Sequence, residues 1–328
     1  MFEFFLTALV AFILAAISGI FLIPLLHRLK FGQEIREEGP KWHQKKSGTP
    51  TMGGFIFIIS FVITVFAMPF AGGRGASLKE IAIITAAALC FGAIGFIDDY
   101  IKVILKRNLG LTAKQKFSLQ VLVSLVFTSL IAGFGVIDMS VLIPFTGYYV
   151  NLGYLVLPLD IIVMLATVNS VNLTDGLDGL AATVTMVVSC AFMLASASLS
   201  FNTTNCLSAS LAGACAGFVV WNAKPAKVFM GDTGSMFLGG MVVALSFGIN
   251  RPILLLLMGC VYFIEAISVM LQVACFKLTK KRLFKMAPLH HHLEKSGYSE
   301  MKIVSLFGIE TSKKVLSREV LLSLFIIV

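Results

Sequence analysis

Long apolar stretches separated by short polar loops dominate this chain, with neither a strand-like alternation nor a one-sided helical stripe. They lie near residues 4–26, 52–70, 81–101, 117–138, 155–171, 179–200, 207–221, 235–250 and 252–276. A helix rises about 1.5 Å per residue, so roughly 20 apolar residues cross a bilayer core of about 30 Å. A segment that is apolar all round belongs in lipid or in a protein interior. The pattern predicts an all-α integral membrane protein with about ten transmembrane helices. The tail is the open part of that count. Ile303 to Ile309 and Val320 to Val328 are apolar, but Glu310-Thr-Ser-Lys-Lys314 and Ser317-Arg-Glu319 interrupt them, and neither piece spans alone.

Loop charge orients the spans. Arg28, Lys30, Arg36, Lys41, Lys45 and Lys46 follow the first run, and Lys102, Lys106, Arg107, Lys114 and Lys116 follow the third. Lys277, Lys280, Lys281, Arg282 and Lys285 follow the ninth. The alternate loops hold only Arg74, Lys79 and Arg251. By the positive-inside rule the N-terminus is outside and each odd-to-even connection faces the cytoplasm. With ten spans, both termini are outside.

Composition agrees with one polytopic domain over residues 1–328: 58% of the residues are hydrophobic and 13% charged, against roughly a quarter charged in ordinary soluble chains. The formal charge of +9 sits in those short loops, so it signals membrane orientation and no nucleic acid. Met1-Phe2-Glu3 lacks the basic start of a secretory signal, and the run to Leu26 is too long for one, so it reads as a retained span. The six cysteines show no C-x-x-C spacing and read as small hydrophobes. Gly92 and Gly95 in the third run suit close helix packing.

Against this background five aspartates stand out, and all fall on the cytoplasmic side: Asp98, Asp99, Asp175, Asp178 and Asp232. A mid-membrane carboxylate costs roughly 2.5–3.5 kcal/mol even on insertion scales, so such acids mark sites. Asp98 and Asp99 close the third run, with Lys102 at helical spacing beside both. A close pair of acids resists double ionisation, which poises one member as a base. Asn172, Asp175 and Asp178 recur every third residue, one face of a helix, while Gly176 and Gly179 open the backbone to a ligand. Gly231-Asp-Thr-Gly-Ser235 leads into an apolar helix, where backbone N–H groups suit phosphate and Asp232 suits a divalent cation.

Two further strings are polar. In Ala287-Pro-Leu-His-His-His-Leu-Glu294, successive helical residues point about 100° apart, so the histidines cannot share one metal. Contacts from two of them to diphosphate or sugar are the better reading. Gly39 to Gly54 carries basic, hydroxyl and glycine residues into the second run. Each string alone has an ordinary reading as an ion pair, a capped turn or orienting charge. Acids, glycines and cations together are what a magnesium-assisted phosphate reaction needs.

Taken together, the aspartate pair, Asn172-Leu-Thr-Asp-Gly-Leu-Asp-Gly-Leu180 and Gly231-Asp-Thr-Gly-Ser235 resemble the polyprenyl-phosphate N-acetylhexosamine-1-phosphate transferase superfamily. Gly48-Thr-Pro-Thr-Met-Gly-Gly54 and Ala287-Pro-Leu-His-His-His-Leu-Glu294 resemble its phospho-N-acetylmuramoyl-pentapeptide-transferase branch. The resemblance implies ten spans with both ends outside, a bacterial cytoplasmic membrane and a cytoplasmic active site. It implies transfer of phospho-MurNAc-pentapeptide from UDP-MurNAc-pentapeptide to undecaprenyl phosphate, with magnesium. It also implies a homodimer and a target for nucleoside antibiotics. Carried onto these residues, it makes Asp232 the metal ligand and Asp98 and Asp99 the catalytic pair. Lys102, Gly176, Leu177, Asp178 and Phe229 become the uridine pocket. Asn172, Asp175, Asn222, His290 and His291 become further site residues, with Lys46 and Thr51 reaching in from the first loop.

Two mechanisms stay open: either Asp98 or Asp99 deprotonates the lipid phosphate for direct attack, or one attacks first and forms an aspartyl phosphate. Two rival functions also stand. A UDP-GlcNAc transferase of the same superfamily is opposed by the triple histidine. An ion-coupled transporter is opposed by acids that gather at one face instead of lining a path.

Overall fold

Inside a bilayer a backbone must satisfy its own N–H and C=O groups, so apolar runs of this length become helices. The computed structural model describes residues 2–29, 48–69, 75–103, 110–134, 139–143 and 148–317. In order, the helices are α1 (Phe2–Arg28), α2 (Gly54–Ala67), α3 (Leu78–Val103), α4 (Ala113–Gly133), α5 (Val156–Thr174), α6 (Leu180–Ser198), α7 (Asn202–Asn222), α8 (Gly231–Gly248), α9 (Leu254–Met258), α10 (Cys260–Thr279), α11 (Leu289–Lys295) and α12 (Glu300–Val315). Seven helices among the described residues are long and apolar enough to cross a membrane. The protein is an all-α membrane protein. Hydroxyl side chains inside it return their protons to the preceding turn: Thr64, Thr128, Ser189 and Ser208 each donate to a carbonyl four residues back, at 2.6–2.8 Å.

Helix α8 runs through the centre, buried from Thr233 to Phe247. Small residues let its neighbours reach it. A methyl group added at Gly95 of α3 would run into the Asp232 carbonyl, and one at Gly240 would press on Phe91 and Ala88. Glycine at 95 thus allows α3 to lie against the first turn of α8. Gly95→Ala is expected to part the two helices, at about 1–3 kcal/mol for overpacking, and to lower the melting temperature in detergent. An unchanged melting temperature would mean the contact yields freely. Helix α1 packs on α7 in the same way, through Gly213 and Gly217, and Trp221 Nε1 donates to the Ala16 carbonyl at 3.1 Å.

Four elements depart from the expected pattern. The run at 252–276 is not one helix, because Gly259 leaves helical geometry (ψ 22°) and separates α9 from α10. Beyond Ser268, α10 exposes Met270, Leu271, Val273, Phe276 and Leu278, so its second half leaves the bundle. Between α4 and α5, strands β1 (Ser140–Leu142) and β2 (Tyr149–Asn151) form an antiparallel hairpin, with Val141 opposite Val150. The charged interruption after Ile309 does not stop α12: Glu310 pairs with Lys313 at 2.8 Å on the surface, and Thr311 is buried with its hydroxyl on the Phe307 carbonyl. Finally, α5 ends at Thr174, so Asp175 and Asp178 sit in the turn after it and do not share a helix face with Asn172.

Candidate active site

The ends of α3 and α5 and the starts of α4 and α8 meet at one end of the bundle, and each brings polar residues. Helix α4 starts at a capping box, in which the Thr112 side chain accepts from Gln115 N and the Gln115 side chain from Thr112 N. That start fixes Lys116 one turn in. On α8, Gly231 has a φ of +74°, which turns the chain so that Asp232 enters the first helical turn.

Asp232 is the hub. Its Oδ2 accepts from Lys102 Nζ at 2.9 Å and from Lys116 Nζ at 3.0 Å, and its Oδ1 accepts from Asn172 Nδ2 at 2.9 Å. Lys102 also pairs with Asp98, whose Oδ1 accepts from Leu111 N at 2.7 Å. Asn172 Nδ2 lies 2.8 Å from Ser235 Oγ as well. Four helices thus converge on one carboxylate.

Asp98 and Asp99 turn to different partners. Neighbours on a helix diverge by about 100°, so Asp98 faces Lys102 while Asp99 turns to α8. Asp99 Oδ1 accepts from Asp232 N at 3.1 Å, and its Oδ2 accepts from Thr233 N at 2.9 Å and Thr233 Oγ1 at 2.7 Å. It caps the start of α8 from another helix and neutralises N–H groups that otherwise lack partners. Burial raises the Asp175 carboxyl well above its ordinary range, and the negative charges of Asp232, Asp99 and Asp178 push the same way. All five aspartates therefore gather at one end.

The turn after α5 is clamped to the segment before α8. Asn222 accepts from Gly179 N at 3.0 Å and donates to the Val228 carbonyl at 2.8 Å, while Asp178 accepts from Ala226 N at 3.2 Å. Leu177 is buried in the core and Phe229 is half-buried. Phe229 N donates to the Pro50 carbonyl at 2.8 Å, and Gly53 N returns a bond to the Phe229 carbonyl at 2.8 Å. Thr51 is therefore held beside Gly231, fully buried and with no hydrogen-bond partner for its hydroxyl among the described residues. Lys46 lies outside the described residues. Lys102, which the resemblance places in a uridine pocket, sits among the acids.

The histidine string approaches from α11. His290 is fully buried, with Nδ1 2.9 Å from Glu265 Oε2, and a methyl group added to Gly176 would strike its Nε2. The opening at Gly176 is thus filled by a histidine ring. His291 Nδ1 lies 2.8 Å from Glu294 Oε2, and its ring centre is 4.2 Å from that of His290. His292 points elsewhere: its Nδ1 accepts from Lys285 N at 3.1 Å and its ring stands edge-on to Phe284.

Two residues of this cluster carry no prior expectation. Lys116 was readable only as orienting charge. Glu265 stands in the apolar run Val261-Tyr-Phe-Ile-Glu-Ala-Ile-Ser268, where an acid is as anomalous as the five aspartates. Among the described residues no group of three or more His, Cys, Asp or Glu is arranged to hold a metal ion.

The family model for Glycosyl transferase family 4 matches residues 81–250, which run from α3 through α8 and include every aspartate of the cluster. Phospho-N-acetylmuramoyl-pentapeptide-transferase of Clostridioides difficile (strain 630) is 46% identical over 306 residues, 93% of each chain. This chain belongs to the phospho-N-acetylmuramoyl-pentapeptide-transferase family. The family member from Clostridium novyi (strain NT) is 48% identical over 305 residues, 93% of this chain and 92% of its own. That from Caldicellulosiruptor bescii is 46% identical over 308 residues, 93% of each. The phospho-N-acetylmuramoyl-pentapeptide-transferase likeness thus extends well beyond the aspartate-bearing helices.

Proposed function

We propose that this chain transfers phospho-MurNAc-pentapeptide from UDP-MurNAc-pentapeptide to undecaprenyl phosphate, giving lipid I and UMP. The observation that carries the reading is Asp232 in the first turn of α8, met by Lys102, Lys116 and Asn172 from three other helices. A site at one end of an apolar bundle suits a reaction between a soluble nucleotide and a lipid phosphate. Supporting it, the family relatives carry the name of this activity.

In this reading the two lysines draw diphosphate oxygens together and offset the charge of two anions that repel. Asp99 has both oxygens engaged by α8 and positions Asp232. Asp98 instead faces the Lys102 ammonium at the centre of the cluster, so in this reading it accepts the proton of the lipid phosphate, whose oxygen then attacks the sugar-bearing phosphorus of UDP-MurNAc-pentapeptide. The bond from that phosphorus to the bridging oxygen breaks, and UMP leaves. Magnesium takes one or two carboxylates from a protein and keeps water and phosphate oxygens for the rest, so Asp232 becomes free to hold it once a diphosphate draws Lys102 and Lys116 away. Asp232 would hold it, with Asp98 nearby across Lys102, and bound there it would neutralise charge on the diphosphate.

Purified protein in detergent, given undecaprenyl phosphate, should release UMP from UDP-MurNAc-pentapeptide and not from UDP-GlcNAc. Release from UDP-GlcNAc alone would transfer the reading to the rival donor.

The reading places the site on the cytoplasmic face, with the N-terminus outside and α12 opening a tenth span. With the native cysteines replaced, Lys281→Cys is then expected to react with a membrane-impermeant maleimide only after lysis, and Tyr154→Cys in intact cells. Both positions are exposed. Equal labelling from outside would overturn the orientation. Asn205, in the first turn of α7 at an end that also reads as external, is fully buried with its amide on the Met193 carbonyl and cannot report.

A further inference from the structure

We propose that Glu265 is a positioning residue of this site, acting through His290, an inference that rests on the transferase reading above. Glu265 lies one turn into α10, fully buried. Its Oε1 accepts from His290 N at 3.2 Å, and its Oε2 lies 2.9 Å from His290 Nδ1. An ionised carboxylate only accepts hydrogen bonds, so both facing nitrogens must carry protons. The backbone N–H always does. The ring proton is thereby fixed on Nδ1, and the orientation of the ring is fixed with it.

The other ring nitrogen shows what this arrangement serves. Nε2 is buried and has no hydrogen-bond partner among the described residues. It faces Gly176, in the turn that follows Asp175 and adjoins Asn172, the residue bonded to Asp232. A pair that only fastened α10 to α11 would gain nothing from an orphaned nitrogen, because an unmet buried polar atom is unfavourable. A ligand in the site supplies the missing partner. With Nδ1 committed, Nε2 is the ring atom left to meet that ligand. It accepts from a hydroxyl when neutral, and donates to a diphosphate oxygen when protonated. The carboxylate behind the ring holds Nε2 aimed at that ligand. This is how carboxylates behind functional histidines orient them elsewhere.

The test uses the whole enzyme in detergent and UMP release from UDP-MurNAc-pentapeptide, with melting temperature measured alongside. Glu265→Gln replaces one acceptor oxygen by an NH2 group, so one of the two His290 donors loses its partner or the ring changes tautomer. We expect kcat/KM to fall about 10–100-fold, the range typical of such supporting partners, with Glu265→Asp falling less. In the His290→Ala background, Glu265→Gln should bring no further loss, since a residue acting through His290 has nothing left to act on. Losses that multiply, or normal turnover by Glu265→Gln, overturn the proposal. A fall in activity matched by a fall in melting temperature also overturns it, by making the role structural. Should Glu265→Gln fail to fold, the same comparison is made with Glu265→Asp, which keeps the charge. If the unaltered enzyme releases no UMP from this donor, the transferase reading itself fails, which is a separate outcome from an indifferent Glu265.

Discussion

Asp232→Asn is expected to reduce UMP release by three powers of ten or more, roughly the effect of removing a central electrostatic group from an active site, while leaving a folded protein. The carboxylate touches Lys102, Lys116 and Asn172 together. An amide of the same shape keeps at most one oxygen for these three donors and carries no charge. Two lysines then lose their shared counter-charge, and a divalent cation loses the anionic ligand that offsets its own dehydration. The start of α8 should survive, because Asp99 holds the backbone N–H of residue 232 whatever its side chain. Retained melting behaviour with lost turnover is therefore the expected pair of results, and added magnesium should not restore activity. Near-normal turnover at matched expression would move the metal role to another acid, with Asp175 the next candidate.

The same cluster shows what a sequence reading reaches. Hydropathy located the seven long apolar helices found among the described residues because burial in lipid acts on composition, which is local. Asp98, Asp175 and Asp232 were conspicuous for the same reason, as charges where charge is unfavourable. That they gather at one end follows from loop charge and span order, neither of which needs coordinates. Partners are a different matter. Adjacent numbers made Asp98 and Asp99 look like a dyad, but their helix sends one to Lys102 and the other to the α8 start. Asn222 and Asp178, which the resemblance places in the site, also bind the backbone of neighbouring loops, and no spacing in the sequence announces those bonds.

The break at Gly259 was missed because hydropathy is blind to backbone geometry, and α10 beyond it is no less apolar for leaving the bundle. Glu265 was passed over for a simpler reason. It stood alone in its run, without the glycines that drew attention to the aspartates. Its meaning depends on His290, 25 residues later in the chain and 2.9 Å away in space.

Replacing His290 and His291 together should lower efficiency with UDP-MurNAc-pentapeptide far more than it lowers stability, and His292→Ala should matter little. The separation rests on where the three rings go. His290 abuts Gly176 and His291 lies beside it, whereas His292 is turned to Lys285 N and Phe284. A lost hydrogen bond to a charged group costs about 1.5–3 kcal/mol, or one to two powers of ten in efficiency for each contact. His290→Ala carries a complication, since among the described residues it leaves the buried Glu265 carboxylate only a backbone N–H. His290→Gln keeps an amide donor for that carboxylate and should fold better, yet it cannot offer the same ring nitrogen beside Gly176. Low turnover by His290→Gln at an unchanged melting temperature therefore assigns the loss to chemistry and not to packing. If the His290 and His291 variants turn over normally while His292→Ala is dead, the active ring is the one facing Phe284, and the histidine string meets the donor from its other side.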